Sequence, residues 1–207
     1  MKTLIVKYLP SGANSNTKKL LDIFLDELKS TNANVEMIDL LKEPAPIFDE
    51  TSIQAYYKRN YGGKQLEANE AKLLEKNDKL IAQLKSSDIL VIACPMHNFG
   101  FPAAVKAYLD AVIFNGETFK MGEKLMAGKK SLTIFTSNGM YDEDQVNIEY
   151  PHWNTLTLSA KINFRFMGFD DAKVISTSLH DEGTREERLI EVQQKISGLV
   201  GRWYKNL

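Results

Sequence analysis

The sequence lacks most of the features that mark disulfide-stabilised, metal-binding or membrane proteins. One cysteine in 207 residues excludes an internal disulfide and a cysteine-rich metal site, which suits a reducing compartment. The 3 histidines are scattered and form no metal-binding spacing, so we expect no metal. No apolar run approaches the ~20 residues of a transmembrane helix, and the amino terminus is too short and polar for a signal peptide. We therefore expect a soluble, cytoplasmic protein that does not associate with membranes.

The chain also lacks an excess of charge of either sign. Its 26 basic and 27 acidic residues give a formal net charge of −1. Without a basic surface we expect no nucleic-acid partner, and small neutral or anionic ligands are the better expectation. With 43% hydrophobic residues the chain can bury one substantial core, which predicts a single domain over residues 1–207.

The most informative stretch is an apolar run followed by a change of period. Residues 89–94 are apolar without interruption and end at Pro95, as expected of a parallel strand that is buried on both faces. Apolar residues then recur at helical spacing over 101–113, with Pro102 suited to the first turn. The loop at 96–100 therefore follows a central strand, at the edge where open α/β sheets bind ligands.

Other apolar segments alternate along the chain with helical patterns. They predict strands at residues 3–8, 35–40, 131–136 and 173–178, and helices near residues 20–28, 73–84, 155–167 and 189–203. Residues 41–66, with two prolines, three tyrosines and a glycine pair, predict an irregular excursion. This alternation indicates an α/β fold with right-handed crossovers. We expect a flavodoxin-like three-layer sandwich, with a five-stranded parallel sheet in the order 2-1-3-4-5 and helices on both faces.

In that strand order the loop at 9–17 meets the loop at 96–100. The first loop matches neither the lysine-containing P-loop pattern nor G-x-G-x-x-G, which disfavours a nucleoside-triphosphatase and a dinucleotide fold. Its hydroxyls, amides and main-chain N–H groups can surround a phosphate without a cation. They belong to Asn14, Ser15, Asn16 and Thr17. By spacing alone, an ordinary helix cap explains these residues equally well.

Two more polar loops are predicted at the same edge of the sheet. The loop at 96–99 offers main-chain N–H groups, an asparagine amide and two apolar side chains, which suit one edge and one face of a flat heteroaromatic ring. In the loop at 137–140 a glycine permits close backbone approach, and a serine and an asparagine can form hydrogen bonds. Each loop alone is more often an ordinary connection. Three of them at one edge predict a ligand site.

Five motifs follow one another in the second half of the chain. They are Pro95-Met-His-Asn-Phe99, the helix at 102–112, Gly116-Glu-Thr-Phe119, Gly128-Lys-Lys130 and Ser137-Asn-Gly139. In this order they resemble the FMN-dependent NADH-azoreductase family of flavodoxin-like NAD(P)H:quinone oxidoreductases. The chain departs from the family at Leu9-Pro10, where members commonly carry an additional serine that Ser11 can replace. It also has His97 where tyrosine is frequent.

The resemblance implies that FMN is the cofactor. Its phosphate would be bound by Ser11, Ser15, Asn16 and Thr17. Its isoalloxazine ring would lie between two loops. One loop consists of Pro95, Met96, His97, Asn98 and Phe99, and the other consists of Ser137, Asn138, Gly139 and Met140. No amino-acid nucleophile is needed, and His97 and Tyr141 are candidate helpers. We expect Cys94, at the end of the apolar run, to be a small core residue without a role.

The resemblance also implies the reaction. NADH or NADPH would donate two electrons for the reduction of quinones and the reductive cleavage of azo compounds. The mechanism would be ping-pong, with the nicotinamide leaving the pocket before the acceptor enters. Two alternatives remain. A flavodoxin-type electron carrier usually docks through an acidic face, which the near-neutral charge does not favour. An acyl-carrier-protein phosphodiesterase-like hydrolase would need a Ser/His/Asp order or a metal cluster, and neither is evident.

A homodimer with sites at its interface is a further implication of the resemblance. Relatives pair through the helix that follows the 96–99 loop, and each partner completes the other's flavin pocket. Several aromatic residues are not obviously required to cover the sheet, and these are the candidates for the contact between the two chains. They are Phe99, Phe101, Phe114 and Phe119, with Tyr56, Tyr57 and Tyr61. On composition alone, these residues serve equally well to cover the chain's own core.

Overall fold

The computed structural model, which describes residues 1–139, 141 and 153–204, has one parallel sheet between two layers of helices. The strands are β1 (Lys2–Lys7), β2 (Asn34–Asp39), β3 (Ile89–Pro95), β4 (Lys130–Thr136) and β5 (Asp171–Thr177). The helices are α1 (Asn16–Leu28), α2 (Glu50–Tyr56), α3 (Ala68–Ser86), α4 (Ala103–Val112), α5 (Thr155–Met167) and α6 (Arg185–Tyr204). None of these helices has the length and apolar character that crossing a bilayer requires.

The strand order is β2-β1-β3-β4-β5, and every neighbouring pair is parallel. The predicted flavodoxin-like fold and its strand order are confirmed. Strand β3 takes the centre because it is apolar on both faces, and its residues from Ile89 to Cys94 are all 0% exposed. Side chains alternate along a strand, so β3 contributes to two separate cores. One core lies under α2, α3, α4 and α5, and the other lies under α1 and α6.

The segment at 41–66 is more regular than the sequence prediction. Helix α2 begins after Asp49, whose carboxylate accepts a hydrogen bond from the Ser52 N–H at 2.8 Å. The Ser52 hydroxyl accepts one from the Asp49 N–H at 2.9 Å, which completes a capping box. A turn of π-helix follows at Tyr57–Tyr61. The prediction of an irregular excursion is therefore wrong for residues 50–61, whereas 41–49 and 62–66 contain no helix or strand. The D-x-x-S spacing at 49–52 was the signal for the helix.

This segment is attached to the loop that follows α4. The rings of Tyr56 and Phe114 lie 4.4 Å apart between centroids, and both side chains are buried. The Tyr56 hydroxyl accepts a hydrogen bond from the Asn115 N–H at 3.1 Å. The side-chain amides of Asn60 and Asn115 each donate to the other's main-chain carbonyl at 2.9 Å. Tyr56 and Phe114 are therefore core residues of this chain.

Helix α5 ends at Gly168, whose φ of 93° is the left-handed conformation of a helix C-cap. A Cβ at this position would lie 2.6 Å from the Lys124 Cα. We expect Gly168→Ala to lower the free energy of unfolding by roughly 1–3 kcal/mol, measured by urea denaturation. Gly63→Ala is the control, because Gly63 has a φ of 61° and a Cβ there would meet nothing within 4 Å. Equal losses in the two variants would show that the Lys124 contact is unimportant.

Candidate functional site

The loops after β1, β3 and β4 meet at the carboxyl edge of the sheet and line a cleft of about 350 Å³. This volume is within the usual range for small-ligand pockets. The lining residues are Ser11, Asn14, Ser15, Asn16, Thr17, Pro95, Met96, Asn98, Phe99, Thr136, Ser137, Asn138, Gly139 and Tyr141. None of these lining residues is acidic, basic or a histidine. The cleft therefore offers hydrogen-bonding groups and apolar surface instead of fixed side-chain charge.

The loop after β1 ends in the start of a helix with free donors. A turn of 3₁₀-helix at Gly12–Asn14 leads to Ser15, which caps α1 by accepting a hydrogen bond from the Lys18 N–H at 3.2 Å. Asn16 and Thr17 are the first two residues of α1, where main-chain N–H groups have no partner within a helix. Those N–H groups and the helix dipole favour an anion at this end of the cleft without a cation.

A buried hydrogen bond joins this helix start to the end of β4. The Oγ1 atoms of Thr17 and Thr136 are 2.7 Å apart, and both side chains are buried. The Thr136 carbonyl also accepts a hydrogen bond from the Met96 N–H at 2.8 Å. Thr136 thus connects all three loops, although the sequence pattern predicts it only as the last residue of a strand. A threonine that directly precedes a polar loop at this edge was the available signal.

The loop after β3 is a two-residue hairpin turn. The N–H groups of His97 and Gly100 each donate to the other residue's carbonyl, at 3.1 and 3.0 Å. The two residues between them, Asn98 and Phe99, have φ values of 46° and 68°, the positive sign that a type I′ turn requires at both central positions. In the described part of the chain, the N–H groups of Asn98 and Phe99 have no hydrogen-bond partner. Two main-chain donors and the Asn98 amide are therefore available to a ligand.

The loop after β4 supports an aromatic wall. The Ser137 hydroxyl donates to the Gly139 carbonyl at 2.8 Å. A Cβ on Gly139 would lie 2.6 Å from the ring of Tyr141, so only glycine lets this ring rest against the backbone. The Tyr141 ring meets the Phe99 ring edge-on at 6.1 Å, and the Trp153 ring meets the Phe99 ring at 4.8 Å. Phe99, 40% exposed, is the member shared by both contacts.

The structure brings the predicted site residues into one cleft, with two exceptions. His97 belongs to the hairpin but does not line the cleft, because its ring packs edge-on against Tyr8 with 5.9 Å between centroids. Met140 lies outside the described residues. Tyr141, predicted as a helper, does line the cleft, and Asn14 and Thr136 are lining residues that the predicted set omitted.

Cys94 lies beside the cleft but is not part of it. The residue is 0% exposed, and burial raises the pKa of its thiol, so the neutral form is retained near neutral pH. A buried neutral thiol is a poor nucleophile, which confirms Cys94 as a core residue. Within the described ranges, no three His, Cys, Asp or Glu side chains are grouped so that they can hold a metal ion.

Strand order and cleft position place the chain in the class of flavodoxin-like α/β proteins with a ligand cleft at the β1/β3 switch point. The family model described as flavodoxin-like fold matches residues 1–199. FMN-dependent NADH:quinone oxidoreductase 1 of Bacillus anthracis is 32% identical over 222 aligned positions, which cover 100% of this chain and 98% of that protein. An FMN-dependent NADH:quinone oxidoreductase of Haemophilus influenzae (strain 86-028NP) is 33% identical over 151 positions, 71% of this chain and 74% of that protein.

Solved structures agree with this assignment. The crystal structure of an FMN-dependent NADH-azoreductase from Bacillus anthracis in complex with FMN superposes with a TM-score of 0.82 at 28% identity. The superposition covers 98% of this chain and 99% of that chain. The chain belongs to the FMN-dependent NADH-azoreductase family of flavodoxin-like proteins, as the loop motifs predict.

The Thr17–Thr136 contact generates a stability prediction. We expect Thr17→Val to lower the free energy of unfolding by roughly 1–3 kcal/mol, because the buried Thr136 hydroxyl loses its partner. The double variant Thr17→Val/Thr136→Val should lose less, since both polar groups are then absent. Urea denaturation of Thr17→Val, of Thr136→Val and of the double variant measures this difference. Additive losses would show that the two hydroxyls do not depend on each other.

Proposed function

We propose that this protein is an FMN-dependent NADH:quinone oxidoreductase that also cleaves azo compounds reductively. The observation that carries the proposal is the cleft itself. At the start of α1 it offers an anion site built from N–H groups and hydroxyls, and at the turn of 98–99 it offers unpaired N–H donors beside aromatic side chains. The names of the relatives, which specify FMN, NADH, quinones and azo reduction, support the same conclusion.

The residues that are present fit FMN. At one end of the cleft the N–H groups of Asn16 and Thr17 and the hydroxyl of Ser15 suit a phosphate, with Ser11 at the rim in place of the family's early serine. A single phosphate site without a dinucleotide fingerprint favours a mononucleotide over FAD. Away from α1, the turn at 98–99 supplies polar donors and the side chain of Phe99 supplies apolar surface. These are the groups that the edge and the face of a flavin ring require.

FMN, when bound, supplies the two-electron chemistry, and the protein's part is to bind, orient and shield the reactants. The loops at 95–99 and 137–140 hold the ring in this proposal. The rings of Tyr141 and Trp153, which both contact the ring of Phe99, would shield one side of the bound flavin from solvent. Of the two predicted helpers, Tyr141 lines the cleft and His97 does not. The described lining contains serine hydroxyls but no histidine, cysteine or carboxylate, so these hydroxyls have no general base there for a hydrolytic reaction.

The donor and the location belong to the same proposal. We take NADH as the donor because the relatives are named for it, and NADPH as an alternative donor that initial-rate comparison distinguishes. A free, buried Cys94 thiol is consistent with a reducing compartment, and we propose the cytoplasm.

The free donors of the hairpin turn generate a binding prediction. We expect Asn98→Ala to weaken FMN binding by roughly 1–3 kcal/mol, since polar atoms of the ring lose their partner. Quenching of flavin fluorescence during titration measures the affinity. Asn34→Ala is the matched control, because Asn34 is exposed at the amino end of β2, on the opposite edge of the sheet. An unchanged affinity in Asn98→Ala would mean that this amide does not bind the ring.

The cleft at the carboxyl edge of the sheet generates a kinetic prediction. Nicotinamide and a flat acceptor would use the same face of the flavin, so the first must leave before the second can enter. We therefore expect parallel double-reciprocal lines when NADH is varied at several fixed quinone concentrations. Lines that intersect would show that both substrates bind together and that the mechanism is not ping-pong.

A homodimer is the proposed working unit, and part of the predicted aromatic set is available to support it. Phe114 and Tyr56 are buried in the chain's own core, whereas Tyr57, Tyr61 and Phe99 are exposed. Helix α5 also exposes Leu158, Ile162 and Phe166 at a spacing of four residues, with exposed fractions of 59%, 57% and 45%. Such a continuous apolar stripe is typical of an interaction surface. Helix α4 packs on the same face of the sheet and turns only small or charged residues outward, which permits close approach.

This surface generates a prediction about mass. Light scattering should report about twice the 23.4 kDa chain mass at micromolar concentration. Ala104→Glu on α4 or Ile162→Glu on α5 should lower both the mass and the retention of FMN, because a charge would be buried and the partner's side chains would leave the pocket. Ile190→Glu is the control, since Ile190 is 53% exposed on α6, in the other layer of helices. A monomer that retains FMN and turns over NADH at full rate would contradict the dimer.

A further inference from the structure

Phe99 adopts a backbone conformation that bulky L-residues rarely occupy. Its φ is 68°, and that of the preceding Asn98 is 46°. Asparagine enters the left-handed region with little penalty, but the position after it in such turns is normally glycine. A phenylalanine there persists only when surrounding contacts hold it. The cleft therefore depends on whatever holds this turn.

The holding contacts come from the start of α5. The hydroxyl of Thr155 donates to the Phe99 carbonyl at 2.6 Å, and the Leu156 N–H donates to the same oxygen at 3.0 Å. Leu156 is 0% exposed, so this N–H is anchored to the core. The ring of Trp153 meets the Phe99 ring at 4.8 Å. Both the carbonyl and the side chain of Phe99 are thus held by residues 153–156.

These contacts fix more than the two groups they touch. The bonds of a tetrahedral Cα have a fixed relative geometry, so holding the carbonyl and the side chain of Phe99 also places its nitrogen, and the φ of 68° then sets the direction of its N–H. Within the described residues, neither this N–H nor the N–H of Asn98 has a hydrogen-bond partner. The His97–Gly100 hydrogen bonds close the hairpin, but they do not act on the ring of Phe99.

We propose that Thr155 is a positioning residue for the flavin-binding turn: its hydroxyl holds Phe99 in the left-handed conformation that presents the free N–H groups of the turn to the ring. Thr155 does not line the cleft, and it acts through Phe99. This inference rests on the proposed function for its ligand, FMN.

The direct test compares FMN dissociation constants of the full-length protein, obtained from flavin fluorescence quenching. Thr155→Val keeps the shape of the side chain but removes the donor, and we expect affinity to fall roughly 5-fold. Thr155→Ser keeps the hydroxyl and should restore affinity to within about twofold of the parent. Thr31→Val is the matched control, because the Thr31 hydroxyl makes the same kind of bond, to the Leu28 carbonyl at 2.7 Å, at the far end of α1. Equal affinities of Thr155→Val and Thr31→Val would overturn the proposal.

A second comparison separates positioning from a general structural role. Glycine adopts positive φ freely, so a Phe99→Gly turn no longer needs to be held. In that background we expect Thr155→Val to change FMN affinity by less than about twofold, against roughly 5-fold in the parent. The same loss in both backgrounds would show that the hydroxyl acts by another route, and the proposal would be wrong.

A third readout needs no flavin. In the free protein the Gly100 N–H donates to the His97 carbonyl at 3.0 Å, and its hydrogen exchange reports the stability of the turn. Thr155→Val should accelerate this exchange, whereas Thr155→Ser and Thr31→Val should not. Unchanged exchange in Thr155→Val would overturn the positioning role. Accelerated exchange in a protein that does not bind FMN would support that role and refute the proposed function instead.

Discussion

The burial of β3 on both faces is the constraint on which the rest of the structure depends. Its apolar residues from Ile89 to Cys94 can be covered only by a layer of helices on each side, so the strand must occupy the middle of the sheet. Parallel pairing then aligns Val6 of β1 with Ile92 and Thr136 of β4 with Pro95. The three strands therefore end within two residues of one another at the same edge of the sheet, and the loops that follow them meet there.

The described residues that line the cleft carry no side-chain charge. In the proposed complex, N–H groups and hydroxyls at the start of α1 would bind the phosphate, and the donors of the strained turn at 98–99 would bind the ring. Helix α5 contributes twice to this arrangement. Its first turn holds the Phe99 carbonyl, while its outer face exposes the Leu158–Ile162–Phe166 stripe. The helix that would contact a second chain is thus the helix that holds the flavin-binding turn.

Sequence reasoning succeeded where the signal was local. The apolar run at 89–94 and the polar loops beside it were sufficient for the strand order and for most of the cleft, with strand ends shifted by one or two residues. It failed where the determinant was a distant contact. Nothing near His97 indicates that its ring packs on Tyr8, and the Thr155–Phe99 bond joins residues 56 positions apart. Helix α2 was missed for a different reason, because proline, tyrosine and glycine content outweighed a capping signal that was present.

We propose that this cleft binds FMN and uses it to pass electrons from NADH to a small acceptor. The most direct measurement is the visible spectrum of the FMN-loaded protein, mixed with NADH in the absence of oxygen. We expect the flavin absorbance to bleach rapidly and to return when a quinone is added. A protein that retains FMN but keeps its colour with NADH, while a chemical reductant bleaches it, would contradict an oxidoreductase and would indicate an electron carrier instead.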